Sequence, residues 1–173
     1  AMGVGAVRML KLLGFTPIVL SEPMPEKRDL GQLFGADHAI DPHSEDLRQK
    51  TRDWRRGSGF ETILECSGVG ENIPVAFELI ASGGSLCMIS IVFGSIPLNQ
   101  PMLMNFKEFR FTGSYSNTHE ENSQCLTWMA EGKIDARPLI SDLIPLEQLP
   151  RVYRERIHPG KTVKVVLQIG EEF

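Results

Sequence analysis

Two features near the start of the chain have the residue types and spacing of a dinucleotide site. Ala1-Met2-Gly3 runs straight into a helical stretch and fits the last three places of a G-x-G-x-x-G turn. In such a turn the backbone must approach a pyrophosphate closely. The helix behind it supplies unpaired N–H groups and a partial positive charge. The earlier glycines of the pattern and a strand before them are not in the sequence, and a glycine ahead of a helix is also an ordinary cap. Glu22 stands 19 residues after Gly3, just past the apolar run Pro17 to Leu20. An acid about 20 residues beyond the turn, at a strand's C-terminal end, can accept hydrogen bonds from the adenosine ribose hydroxyls. Its charge would repel a 2′-phosphate, which favours NAD over NADP. The competing reading is a solvated glutamate that opens a loop.

Metal and nucleophile chemistry find no comparable pattern. His38, His43, His119 and His158 are scattered without ligand spacing and read as structural or solvated. Cys66, Cys87 and Cys125 are odd in number, lie far apart and form no Cys-x-x-Cys pair, which argues against a disulfide frame and for a reducing cytoplasm. No residue is assigned a catalytic role, and none a metal.

The elements that would position these residues alternate strand with helix. Helical periodicity over Gly3 to Leu13 stops at Gly14, and Pro25 to Phe34 reads as a helix with Pro at its start and Gly35 after its end. His38 to Ile40 is a short strand and Asp46 to Arg56 a polar helix. Glu61 to Cys66 is a strand, Asn72 to Ile80 a helix closed by Gly83-Gly84, and Leu86 to Ile91 a buried strand. This rhythm means βαβ units and a parallel sheet covered on both faces, so the fold class is doubly wound α/β. Past Val92 the beat changes. Gly94 to Asn99 is expected as an edge strand, Pro101 to Phe106 as an apolar segment, Phe109 to Ser114 as a strand and Glu120 to Ala130 as a helix. Leu143-Ile144-Pro145, a helix over Leu146 to Ile157 and a strand Val163 to Ile169 make a tail that reads as packing on something else. The expected division is a dinucleotide domain over 1–135 and a C-terminal segment over 136–173.

A chain of 173 residues, 42% hydrophobic and 23% charged, suits one well-buried domain with an appendage. A net charge of −4 and the lack of a basic stripe with aromatics argue against a nucleic-acid surface. No apolar run reaches the roughly 20 residues of a bilayer span, and the start lacks the pattern of a secretory signal. The expectation is therefore no nucleic-acid and no membrane partner.

Ser21-Glu22-Pro23, Glu26-Lys27-Arg28, Leu33-Phe34-Gly35-Ala36-Asp37, Ile40-Asp41-Pro42, Glu65-Cys66-Ser67-Gly68-Val69 and Gly83-Gly84-Ser85-Leu86 occur in this order. Gly132-Lys133-Ile134-Asp135, Pro138-Leu139-Ile140 and Gly160 to Leu167 continue the series. Together they resemble the cofactor-binding half of the zinc-dependent medium-chain dehydrogenases, in the alcohol, polyol and threonine dehydrogenase branch. The resemblance implies an NAD-binding Rossmann fold followed by a remnant of the catalytic domain. It places Met2 and Gly3 at the pyrophosphate, Glu22 at the adenosine ribose and Lys27 beside the adenine. Ser67, Gly68 and Val69, with Ile89, Ser90 and Ile91, would line the path to the nicotinamide. Ser114 and Tyr115 would close over it, and Lys164 would reach the phosphates. Ile89 and Ile91 are equally readable as core, and Lys27 as a solvated helix charge.

The family's zinc ligands belong to a separate N-terminal domain that this sequence lacks, so zinc is expected only there. Hydride transfer needs an alcohol polarised by metal beside the cofactor, and the chain alone is expected to be inactive. The substrate is not legible. A non-enzymatic NAD-binding or assembly domain is the alternative function. A Rossmann sheet without its first strand would leave inner edges unpaired, and Val163 to Ile169 is the candidate to fill that place. The segment near Gly94 to Met104 is expected to join two copies into a homodimer.

Overall fold

Among the described residues every hydrogen-bonded strand pair is parallel, as the alternation of apolar runs and helices requires. A computed structural model describes residues 1–170. Its contacts divide the chain into two compact units, Met2–Asn117 and the part from Thr118 onward.

The first unit opens with helix α1, Met2–Leu12, whose Val4 and Val7 are buried. Strand β1, Val19–Ser21, leads into α2, Pro25–Leu33, which starts on Pro25 as its missing N–H allows. Strand β2, His38–Ile40, pairs with β1 in register from Val19↔His38 to Ser21↔Ile40. The Asp37 carboxylate receives the Ile18 N–H at 2.8 Å and fixes the start of this ribbon. Helix α3, Leu47–Arg55, is capped by the Asp46 side chain, which accepts from the N–H groups of Arg48 and Gln49.

Strand β3, Phe60–Glu65, pairs with β4, Ile80–Met88, which pairs in turn with β5, Arg110–Gly113. Helix α4, Asn72–Leu79, connects β3 to β4, and α5, Met102–Lys107, precedes β5. Ile73, Ala76 and Phe77 of α4 form a core with Ile80, Leu86 and Phe109. The Phe77 ring meets Phe109 and Phe111 edge-on, at 4.7 and 5.4 Å between centroids. Full burial of an Ile, Leu or Phe side chain in this core contributes about 1.5–3 kcal/mol. Lys107 lays its ammonium on the carbonyls of Phe77, Glu78 and Ile80, at 3.0, 2.7 and 2.8 Å, and so caps the C-terminal end of α4.

The β1–β2 ribbon and the β3–β4–β5 sheet share no strand pairing. The division between them falls between β1 and β3. Helix α1 packs against both β1 and β3 across it.

Several expectations need correction. Val163 to Ile169 does not fill the break: β7, Lys164–Gln168, pairs with β6, Ile140–Pro145, in a two-stranded sheet of the second unit. Gly94 to Asn99 is not an edge strand but loop, with Gly94 at φ 101° and Pro97 unable to donate. Gly83-Gly84 does not close α4, which ends at Leu79 on the extended Ile80; the glycines lie within β4, where the register to β3 shifts.

The second unit holds α6, His119–Ala130, opened by a capping box between Thr118 and Glu121. The helix expected over Leu146 to Ile157 is three short turns: a 3-10 turn Leu146–Gln148, α7 Leu149–Val152, and a wide turn Tyr153–Ile157. Pro150 near its start has no N–H for the helical ladder. Among the described residues of this unit, only Ile144 and Val152 are buried hydrophobics, while Leu126, Leu143, Tyr153 and Ile169 are exposed.

Candidate functional site

The N-terminus of α1, the loop after β1 and the loops after β3, β4 and β5 all stand at the C-terminal edge of the parallel strands, the edge at which open α/β sheets bind ligands. A Cβ on Gly3 would stand 3.7 Å from Cys66 Cβ and 3.8 Å from Leu20 Cδ1. The first turn of the helix is therefore seated over the ends of β1 and β3 together. No acidic residue occupies that turn, so the helix carries no carboxylate of its own against its positive end. Met2 is exposed beside it.

Glu22 follows β1 directly. Its N–H donates to the Ile40 carbonyl at 3.0 Å, which ties it to the end of β2. One carboxylate oxygen accepts the Met24 N–H at 3.0 Å, so the side chain is held from behind. Arg28 donates to the carbonyls of Glu22 and Pro23, at 2.8 and 2.7 Å, and pairs with Asp41 at 3.7 Å. The guanidinium thus ties down the loop and is engaged there. The His43 N–H, with Arg28 nearby, holds the Asp41 carboxyl below its ordinary range. Lys27 is half-buried in the first turn of α2.

Glu65 ends β3, only 6% exposed. Its Oε1 accepts the Ser67 N–H at 2.7 Å and the Ser67 hydroxyl. Its Oε2 accepts the Ser90 hydroxyl and, at 3.4 Å, the Gly68 N–H. Its backbone carbonyl accepts the N–H groups of Ile89 and Ser90, at 2.9 and 3.2 Å. Burial pushes the Glu65 carboxyl up, but these donors outweigh it and leave the group below the ordinary glutamate value. Ser67 Oγ also accepts from the Val69 N–H and from Asn72 Nδ2, at 3.1 and 2.9 Å.

The two loops touch. Gly68 sits at φ 76°, where a Cβ would lie 3.0 Å from the Ile91 carbonyl oxygen, and one on Gly70 would lie 2.9 Å from that of Ser95. Val69 and Ile91 are exposed and Ile89 is half-buried, so neither isoleucine belongs to the fully buried core. Ser114 donates its N–H to the Met88 carbonyl at 2.8 Å, and Tyr115 next to it is 87% exposed. Lys164 is exposed on β7 of the second unit. A hollow of about 270 Å³ lies elsewhere in the first unit, where Arg48, Pro74, Glu78 and Leu98 line it.

The sequence points to Gly3 and Glu22 by spacing. It gives no role to Glu65, Arg28 or the Met24 amide. An acid closing an apolar strand was the available sign for Glu65. Cys66, half-buried beside Gly3, has its thiol pushed up to about 11, first by burial and then by the Glu65 charge. Among the described residues, no group of three or more His, Cys, Asp and Glu could hold a metal ion. Nor is any helix among them long and apolar enough to cross a membrane.

Residues 1–131 match the model of the family described as zinc-binding dehydrogenase. The chain is 29% identical over 98% of its length to the scyllo-inosose 3-dehydrogenase of Thermotoga maritima, of which it spans 44%. The solved L-idonate 5-dehydrogenase of Escherichia coli K-12 superposes with a TM-score of 0.84 at 27% identity, covering 97% of this chain and 47% of that one. A structure described as a zinc-binding dehydrogenase from Sinorhizobium meliloti 1021, bound to NADP, gives 0.83 at 26%, covering 96% and 49%. The chain thus spans about half the length of the relatives it matches.

Proposed function

Because the chain belongs to the zinc-binding dehydrogenase family, we propose that it is the cofactor-binding half of a polyol or secondary-alcohol dehydrogenase and holds NAD along the C-terminal edge of its strands. The observation that carries this reading is the seating of Gly3 over the ends of β1 and β3, with Glu22 held by the Met24 amide on one side of it. The helix N-terminus suits a pyrophosphate and the free face of the Glu22 carboxylate suits two ribose hydroxyls. The residue beside Gly3, Met2, would flank the pyrophosphate, and Lys27 the adenine. A dinucleotide with its adenosine at Glu22 and its phosphates at Gly3 runs on towards β3 and β4. The nicotinamide then falls among Ser67, Gly68, Val69, Ile89, Ser90 and Ile91, with Ser114 and Tyr115 beyond.

The bound nicotinamide would take up the hydride that leaves the alcohol carbon. The chain's part is to orient that ring and exclude water from it. NAD is preferred to NADP, since Glu22 repels a 2′-phosphate and Arg28 is drawn away onto two carbonyls and Asp41. The cofactor domain is read as residues 1–135, which takes in α6 of the second unit, and 136–173 as the segment that goes with the catalytic half. This chain's proposed share of the reaction is the cofactor and not the metal or the substrate contacts, so by itself it would turn nothing over. Two copies would associate through the segment near Gly94 to Met104, where Leu98, Met102 and Met104 are exposed; a monomer mass at every concentration in analytical ultracentrifugation would refute that.

The decisive experiment is calorimetric titration of the chain with NADH and with NADPH. Binding that favours NADH and weakens at least tenfold in Glu22→Ala, about 1.4 kcal/mol, is the expected result. No heat with either ligand would overturn the proposal and leave the alternative of an assembly domain.

A further inference from the structure

The Glu65 carboxylate joins two loops that contact each other but belong to different βα connections. One oxygen serves the loop after β3 through Ser67, the other the loop after β4 through Ser90, and the backbone carbonyl of the same residue takes both N–H groups at the start of that second loop. We infer that Glu65 is a positioning residue that holds the nicotinamide-side loops of the site, 67–69 and 89–91, in one fixed arrangement. This rests on the proposed cofactor function and assigns to that site the part that sets its nicotinamide end apart from its adenosine end.

The chemistry requires a carboxylate and not an amide. All four groups that converge on Oε1 and Oε2 are donors, and two of them, the N–H groups of Ser67 and Gly68, have no freedom to turn. Ser67 N–H faces Oε1 and Gly68 N–H faces Oε2. A glutamine would place its NH2 against one of these backbone donors in either orientation. The serine hydroxyls could rotate away, but they would then release the clamp. The glycines leave no slack, because Gly68 and Gly70 already bring the two loops to backbone contact. Loosening Glu65 therefore frees both loops, while Glu22 and Arg28 keep their own bonds to Met24, Glu22, Pro23 and Asp41.

The test compares NADH with ADP-ribose, which carries both riboses and the pyrophosphate but no nicotinamide, by calorimetry on the full chain. The unaltered chain should bind NADH more tightly than ADP-ribose. In Glu65→Gln the NADH affinity should fall about tenfold while ADP-ribose stays within twofold. Ser90→Ala, which removes a single hydroxyl from an otherwise intact fold, should shift NADH in the same direction and decides the matter if Glu65→Gln does not fold. A general weakening of the domain would lower both ligands together, and that result would reduce Glu65 to a structural buttress. Equal binding of NADH and ADP-ribose by the unaltered chain, or an unchanged NADH affinity in Ser90→Ala, would overturn the inference and leave the cofactor reading standing. Binding of neither ligand would overturn the cofactor reading itself.

Discussion

Gly57 and Gly59 are two residues apart, both left-handed, and differ in one respect that can be measured. Gly57 has φ 81° with nothing within 4 Å of a Cβ built on it. Gly59 has φ 76°, and there a Cβ would lie 2.6 Å from the Leu79 carbonyl oxygen, 2.9 Å from the Ala81 nitrogen and 3.0 Å from the Ile80 carbonyl carbon. Alanine at Gly57 incurs only the backbone cost of a left-handed L-residue, roughly 1–2 kcal/mol, less the few tenths gained from a stiffer unfolded chain. Alanine at Gly59 incurs the same and collides with three backbone atoms. Those atoms cannot withdraw easily, since Ile80 is buried in the core and its carbonyl is held by Lys107. Overpacking adds roughly 1–3 kcal/mol. Gly57→Ala should therefore cost about 1 kcal/mol and Gly59→Ala about 2–4. Urea unfolding, followed through Trp54 in a Trp128→Phe background, reads the difference; with a slope of about 2 kcal/mol per molar, the midpoints should drop by about 0.5 M and 1–2 M. Equal losses in the two variants would refute the account, because they would mean that the α4–β4 junction yields and only φ matters.

Other expected outcomes follow from single contacts. Lys107→Met leaves the carbonyls of Phe77, Glu78 and Ile80 without their shared donor and should cost roughly 2–3 kcal/mol, read as a lowered thermal midpoint. The Glu65 carboxyl lies below its ordinary value of 4.5 when folded, so its stabilisation is whole above that pH and is lost as pH falls through the folded value. Denaturation midpoints of Glu65→Gln should accordingly fall less than those of the unaltered chain as pH drops below about 4.5; parallel curves would contradict the clamp. Cys66, with its thiol pushed up to about 11 by burial, should resist iodoacetamide at pH 8 while exposed Cys125 reacts, as peptide mass mapping would show.

The elements most legible in the sequence were those whose periodicity and punctuation agree. Helix α2 begins on Pro25, and α3 is framed by Asp46 and the left-handed Arg56. Strand β2 was read to the residue. What was lost depended on distant partners. Gly83-Gly84 looks like a helix stop in sequence, yet in space it lets β4 shift register along β3. Met102–Lys107 looks only apolar, because its helix is short and rests on the core through Leu103. In the candidate site, spacing singled out Gly3 and Glu22, since the helix and strand between them fix their separation. Glu65 was invisible as a clamp because Ser90 lies 25 residues away and reaches it only once β3 and β4 are paired.

The break between β1 and β3 has a consequence for how the first unit would respond to a ligand. No strand pairing among the described residues crosses from the β1–β2 ribbon to the β3–β4–β5 sheet, and α1 packs against both β1 and β3. A ligand that reaches from Glu22 to Ser67 and Ser90 would span both pieces. It would act as a cross-tie between them, and its arrival would raise amide protection in both.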